Sequence, residues 1–126
     1  MSHDPIPTPS YYIKLFQEWG KKRGIPTHST ALAQSRKTIE EVHELIEAAA
    51  KLDMIDQNKH RANLKEINTV ETALTDAIGD VIVTLVQVAE CAGFDITNCM
   101  AQAWNDIKDR KGAFGPDGTW VKEPQE

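Results

Sequence analysis

The chain has 126 residues and a formal net charge of −5. That length suits one domain, and the negative balance argues against a nucleic-acid binder held by phosphate contacts, which needs a basic surface. No uninterrupted stretch reaches the roughly 18 apolar residues of a membrane span, the opening MSHDPIPTPS lacks a basic and then apolar signal pattern, and Cys91 and Cys99 show no metal-ligand spacing. The expectation is a soluble cytoplasmic protein with reduced thiols, with neither nucleic acid nor membrane among its partners.

Three prolines in the first ten residues predict a loose N-terminus over residues 1–9. Ser10 is placed to cap a first helix through YYIKLFQEWGKKRG, ending near Gly24, with Ile13, Phe16 and Trp19 along one side. Gly24-Ile25-Pro26 reads as a turn. Ser29 or Thr30 caps a second helix to about Leu52, whose apolar residues Leu32, Ile39, Val42, Leu45, Ile46, Ala49 and Leu52 recur at helical steps. Residues 54–67 are polar and aperiodic, a loop or short irregular helix. A third helix runs from near Thr69 to Gly93. Asp95 caps a fourth, ITNCMAQAWNDIKDRKG, closing at Gly112. The tail, residues 113–126, holds a Pro-Asp-Gly turn and reads as a small hairpin or a partner-binding arm. The expected architecture is one all-α domain, a four-helix bundle with its core over about residues 11–112.

The third helix carries an anomaly. Asp76 and Asp80, four residues apart, share a face of a helix that Ile78, Val81, Ile82, Leu85, Val86 and Val88 make apolar on its other sides. Thr84 and Gln87 extend the polar stripe. A helix apolar nearly all round is expected to be buried, and a buried carboxylate needs a partner. The second helix offers one in EEVHE, residues 40–44, where Glu40, Glu41 and Glu44 share a surface opposite Ile39, Val42, Ile46 and Ala49. Alone, such a face is ordinarily solvated. Facing the third helix, it makes a cluster of Glu41, Glu44, Asp76 and Asp80, which repel unless cations sit among them. All-oxygen ligands favour Mg²⁺, Mn²⁺ or Ca²⁺, and Mg²⁺ completes its shell with water and substrate phosphates. A nucleotide or another polyphosphate follows as substrate. Asn105, Lys108, Arg110 and Lys111 end the fourth helix. They serve either as favourable charge at a helix C-terminus or as a rim that grips phosphate oxygens.

Glu-Glu-x-x-Glu on one helix, an acidic pair ending in Asp on the next, and Asn with basic residues on a fourth resemble the MazG-type all-α nucleoside triphosphate pyrophosphohydrolases. The resemblance spans about Tyr12 to Gly112 and is closest to the short, single-domain members, including those of phages. It implies Mg²⁺ as cofactor, with Mn²⁺ as substitute, cleavage of a (d)NTP to the monophosphate and pyrophosphate, and a dimer or tetramer in the cytoplasm, the host's if phage-encoded. By position, Glu41 and Glu44 resemble the family's Glu-x-x-Glu ligands and Asp80 its final Asp. Glu40 resembles the leading glutamate, a ligand or a support for one. Asn105 and Arg110 resemble residues that contact sugar or phosphates. Glu44 is the preferred group to orient or deprotonate the attacking water. Base selection falls to the first helix and the turn after it, with Phe16 and Trp19 as stacking candidates and His28 beside them. One departure stands out: the family's Glu-x-x-Asp would put its Glu at Ala77, whereas here Asp76 lies one residue earlier. That leaves the number of metal ions open.

The base is open too. A purine such as dGTP is compatible, and so are roles in cleansing damaged nucleotides or reshaping a phage dNTP pool. Three other readings compete. One keeps the family and changes the substrate to phosphoribosyl-ATP. Another is a non-enzymatic helical adaptor whose acidic face meets a basic partner. The third is a di-iron oxidoreductase, since Glu40 to His43 is literally Glu-x-x-His. Such bundles need a second copy of that motif, and His3, His28 and His60 all lie outside the third and fourth helices.

Overall fold

A computed structural model describes residues 7–57 and 62–123. The expectations for residues 1–6, for residues 58–61 with His60, and for residues 124–126 lie outside the described residues. Among these there are five helices and one two-stranded hairpin, so the all-α class holds. The chain divides into two compact units, Met1–Phe94 and Asp95–Glu126. The expected four helices are five among the described residues, four of them in the first unit and the last in the second.

In the first unit, α1 spans Pro9–Lys22. Thr8, not Ser10, is its cap, its side chain accepting from the Tyr11 N–H at 3.2 Å. Pro9 explains the shift, because its fixed φ and missing N–H suit the first helical position. Gly24, at φ 73°, supplies the left-handed residue that reverses the chain. The expected turn is itself one helical turn, α2, Ile25–His28. α3 covers Ala31–Gln57. Thr30 Oγ1 accepts from the Ala33 N–H at 3.1 Å, which settles the choice of cap. No glycine or proline lies between Leu52 and Gln57, and α3 continues past Leu52.

α4 covers Leu64–Ala92 and begins earlier than Thr69. Asn63 accepts from the Glu66 N–H at 2.8 Å and donates to the Glu66 carboxylate at 3.0 Å, a reciprocal N-terminal box. Most of the expected 54–67 loop is therefore helix. Gly93 ends α4 at φ 78°, as expected. By length and composition α4 could cross a membrane, which a count of uninterrupted apolar residues did not register. Two of its five buried residues, Thr84 and Gln87, are polar and bonded to α3 and α1.

α3 and α4 pack antiparallel along their length, with Thr38 and Thr84 joined by hydroxyl groups 2.9 Å apart. Ala77, Val86 and Ala89 on α4 and Ala48 on α3 form the dry centre. The expected apolar stripe of α3 divides: Val42 and Ala49 are half-buried, while Ile39 and Ile46 are exposed. Nor is α4 buried all round. Ile78, Ile82 and Leu85 form an exposed stripe at helical spacing.

α1 crosses α4 at Gly20, where a Cβ would collide with the Gln87 amide. Gly20→Ala is expected to lower stability by about 1–3 kcal/mol through overpacking, read from the denaturant midpoint. An unchanged midpoint would mean that α1 does not dock there.

In the second unit, Asp95 caps α5, Ile96–Ile107, by accepting from the Thr97 N–H at 2.9 Å. α5 ends before the expected Gly112, which instead opens β1, Gly112–Phe114, antiparallel to β2, Trp120–Lys122. The hairpin expected from Pro-Asp-Gly is present, with Gly118 at φ 85° and Phe114 edge-on to Trp120.

Candidate active site

Helical spacing places Glu41 one turn before Glu44 on the α3 face that meets α4, and Asp80 reaches them from the opposing helix. One carboxylate oxygen from each of these three residues lies within 4.8 Å of the others. Glu41 is the most enclosed, its side chain 13% exposed, while Glu44 and Asp80 open to solvent. Lys37, one turn earlier on α3, sits 2.8 Å from Glu40 and 3.6 Å from Glu41. The hydrogen bond to Glu40 is the main cause that holds the Lys37 ammonium above its usual pKa.

The Glu44 carboxyl is pushed above the usual carboxylate range. The charge of Glu41 is the main cause, followed by a hydrogen bond between the two side chains, desolvation and the charge of Asp80; Lys37 opposes them. Three converging carboxylate oxygens with no histidine among them suit a hard divalent cation such as Mg²⁺ or Mn²⁺. His43 lies exposed outside the trio, so the Glu-x-x-His pattern does not supply the nitrogen ligand that a di-iron centre uses.

The remaining expected ligands sit elsewhere. Glu40 is engaged by Lys37 on the outer side of α3. Asp76, one turn before Asp80, lies exposed in a shallow groove with Glu71, Thr72 and Thr75. The expected cluster of four is a cluster of three. Ala77, the position the family motif would fill with Glu, is buried against α3 at 4% exposure. Asp76 is rotated away from that seam.

A pocket of about 500 Å³ opens from this cluster. Glu41, Asp80 and Lys37 line one end, and Trp19, Ile25, Gln34 and Gln87 line the rest together with Thr84. Of the three base-binding candidates, only Trp19 is in its wall. The Arg23 guanidinium lies 4.2 Å from the Trp19 ring centroid. Phe16 contributes a backbone carbonyl that accepts from Gln87 Nε2 at 2.9 Å. His28 Nδ1 is instead within 2.9 Å of the Gly24 carbonyl and the Thr27 hydroxyl, a local role at the end of α2.

Sequence reasoning missed Lys37, Gln34 and Ile25 as site residues and treated Gln87 only as part of a stripe. A signal existed for Lys37, one helical turn before Glu41. Asn105, Lys108, Arg110 and Lys111 belong to the second unit, all exposed, at the end of α5 and in the segment after it.

Carboxylates on two antiparallel helices, opening into a pocket of about 500 Å³, define the class as an all-α protein with an acidic cluster suited to a divalent cation. The family model of the MazG nucleotide pyrophosphohydrolase domain matches residues 29–114, and the chain belongs to that family. Nucleotide pyrophosphohydrolysis is thus its general activity, and the family is typically dependent on a divalent metal. No curated protein and no solved structure matches the chain.

Proposed function

We propose that this chain is a Mg²⁺-dependent (d)NTP pyrophosphohydrolase that releases pyrophosphate and leaves the monophosphate. The convergence of Glu41, Glu44 and Asp80 within 4.8 Å at the mouth of a pocket carries the reading. These three residues would hold Mg²⁺, with Mn²⁺ able to replace it. The bound ion supplies charge neutralisation for phosphate oxygens during phosphoryl transfer. Glu44, exposed beside Glu41 and Asp80, is suited to accept the proton of an attacking water. Lys37 adds positive charge to the pocket wall. Asn105, Lys108, Arg110 and Lys111 are assigned to phosphate and sugar oxygens, and Trp19 to the base. The substrate is a free nucleotide rather than nucleic acid, and the unpaired thiols of Cys91 and Cys99 fit a cytoplasmic setting.

The deciding experiment is a pyrophosphate-release screen over the eight common NTPs and dNTPs, with products identified. Pyrophosphate and a monophosphate are expected from at least one nucleotide with Mg²⁺, and none in EDTA. Orthophosphate as the product, or equal rates in EDTA, would overturn the reading.

Metal binding is also expected to stabilise the fold by mass action, by about 2.7 kcal/mol at a hundred times Kd, seen as a raised Tm. An unchanged Tm with millimolar Mg²⁺ would favour the adaptor reading. Assembly follows from the exposed stripe Ile78, Ile82 and Leu85 on α4 and from Ile39 and Ile46 on α3. Apolar faces of this kind are commonly buried between copies. Light scattering at micromolar concentration is expected to give a dimer or tetramer mass, and a monomer mass counts against it.

A further inference from the structure

Lys37 is the one cationic side chain among the described residues that line the pocket. Its place there follows from helical spacing. Gln34, Lys37 and Glu41 face the pocket from α3 at steps of three and four residues. Lys37 therefore stands about 4.5 Å along the helix axis from Gln34 and about 6 Å from Glu41. The end away from the carboxylates is closed by α1. There the Gln87 amide donates to the Phe16 carbonyl at 2.9 Å and packs against Gly20, the residue after Trp19. Gln87 lies seven residues from Asp80 along α4, a rise of about 10 Å. The wall thus runs from Trp19 through Lys37 to the carboxylates.

The Lys37 ammonium has hydrogen-bonding capacity to spare. Glu40 takes one of its three N–H donors at 2.8 Å. Glu41, at 3.6 Å, is a charged neighbour beyond hydrogen-bond range. The Lys37 side chain is 54% exposed and that of Glu40 67%, and a pair so open to water is weak. It gives way readily to a phosphate dianion, a stronger partner for an ammonium than one screened carboxylate. A divalent ion among the carboxylates neutralises Glu41 as well and leaves the ammonium unopposed on the pocket side.

Resting on the pyrophosphohydrolase reading for the phosphates nearest the carboxylates, we propose that Lys37 binds the phosphate next to the sugar, the one that stays on the nucleoside. A nucleotide with its base beside Trp19 meets Lys37 before it meets the carboxylates. The two products are then held at different places, the monophosphate at the ammonium and the pyrophosphate at the metal-binding carboxylates. Lys37 thereby sets the register of the triphosphate, with the bond between its first and second phosphates lying between the ammonium and the cluster.

The test is calorimetric binding of the four common deoxynucleoside monophosphates, and separately of inorganic pyrophosphate, to the full chain with Mg²⁺ present. Lys37→Gln is expected to weaken the Kd of the tightest monophosphate by about 10-fold, the scale of one hydrogen bond to a charged group, and to leave the pyrophosphate Kd within about 2-fold. Lys37→Arg keeps the charge and is expected to hold monophosphate binding within about 3-fold of the parent. Glu40→Gln breaks the same surface pair but keeps the ammonium, so its monophosphate Kd is expected to be no weaker than the parent's. Equal losses in Lys37→Gln and Glu40→Gln would make the pair structural and overturn the assignment. A monophosphate Kd unmoved by Lys37→Gln, a pyrophosphate Kd weakened as much as the monophosphate's, or no binding of any monophosphate to the parent overturns it too. A loss confined to the monophosphate, in a chain that releases no pyrophosphate from any triphosphate, would instead retain the assignment of Lys37 and overturn the pyrophosphohydrolase reading.

Discussion

Asp80→Asn is expected to fold and to lose about 100- to 1,000-fold in kcat, the scale seen when one preorganised electrostatic contact is removed from a transition state. The change keeps shape and hydrogen-bonding capacity and removes one negative charge. Two roles for a carboxylate on an apolar helix predict opposite stabilities. A structural ion-pair member would strand a cation on mutation and cost about 3–5 kcal/mol. Among the described residues none of the ion pairs involves Asp80, and its neighbours in the cluster are Glu41 and Glu44. Removing its charge therefore relieves repulsion, and the metal-free variant is expected to be at least as stable as the parent. Asp76→Asn is the control. Asp76 stands in the groove with Glu71, outside the three-carboxylate cluster, so a nearly normal kcat is expected. A large loss there would show that Asp76 substitutes for the missing acid at Ala77. A destabilised Asp80→Asn with normal kcat would remove Asp80 from the metal site.

The part of this site that could be read from sequence is the part governed by helical periodicity. Glu41, Glu44 and Asp80 project from two helices whose apolar spacing predicted them, and a pattern of that kind is local. The errors were also local at first. Thr8 was overlooked as a cap because Pro9 lies between it and the rest of the helix. The start of α4 at Leu64 was hidden in a polar stretch, although Asn63 with Glu66 three residues later is a capping signal. Burial was less legible. The apolar residues on α4 implied that it was enclosed on all sides, yet Ile78, Ile82 and Leu85 are exposed in the chain, because composition does not say which apolar face a neighbouring helix covers. The pocket was the least legible of all. Gln34, Gln87 and Trp19 come from three helices, and their convergence depends on the close crossing at Gly20, a packing detail with no periodic signature. Asp76 lies outside the cluster for a geometric reason. Residues four apart share a face only to within a fraction of a turn, and here that rotation leaves Asp80 at the seam and Asp76 outside it.

Glu44→Gln is the second large effect, with an expected loss in kcat of about 100- to 10,000-fold, the usual contribution of a positioned acid or base. It also carries a signature in the pH dependence of stability. In the metal-free fold the Glu44 carboxyl is held above its ordinary pKa, chiefly by Glu41. The folded state then binds the proton more tightly than the unfolded chain does. Its contribution to stability is fully present below the unfolded value and is lost as pH rises through the folded one. The metal-free parent should therefore lose Tm on going from acidic pH toward neutrality, over the window that starts at the ordinary carboxylate value and ends at the raised Glu44 value. Glu44→Gln removes that proton and should flatten the slope. Mg²⁺ acts in the opposite direction, since it binds the deprotonated site, so its stabilisation of the parent should grow as pH rises through the same window. Tm measured across pH, with Mg²⁺ and with EDTA, gives the test. A Glu44→Gln variant with the parent's slope in EDTA would mean that the proton resides elsewhere in the cluster, and normal kcat in that variant would remove Glu44 as the base.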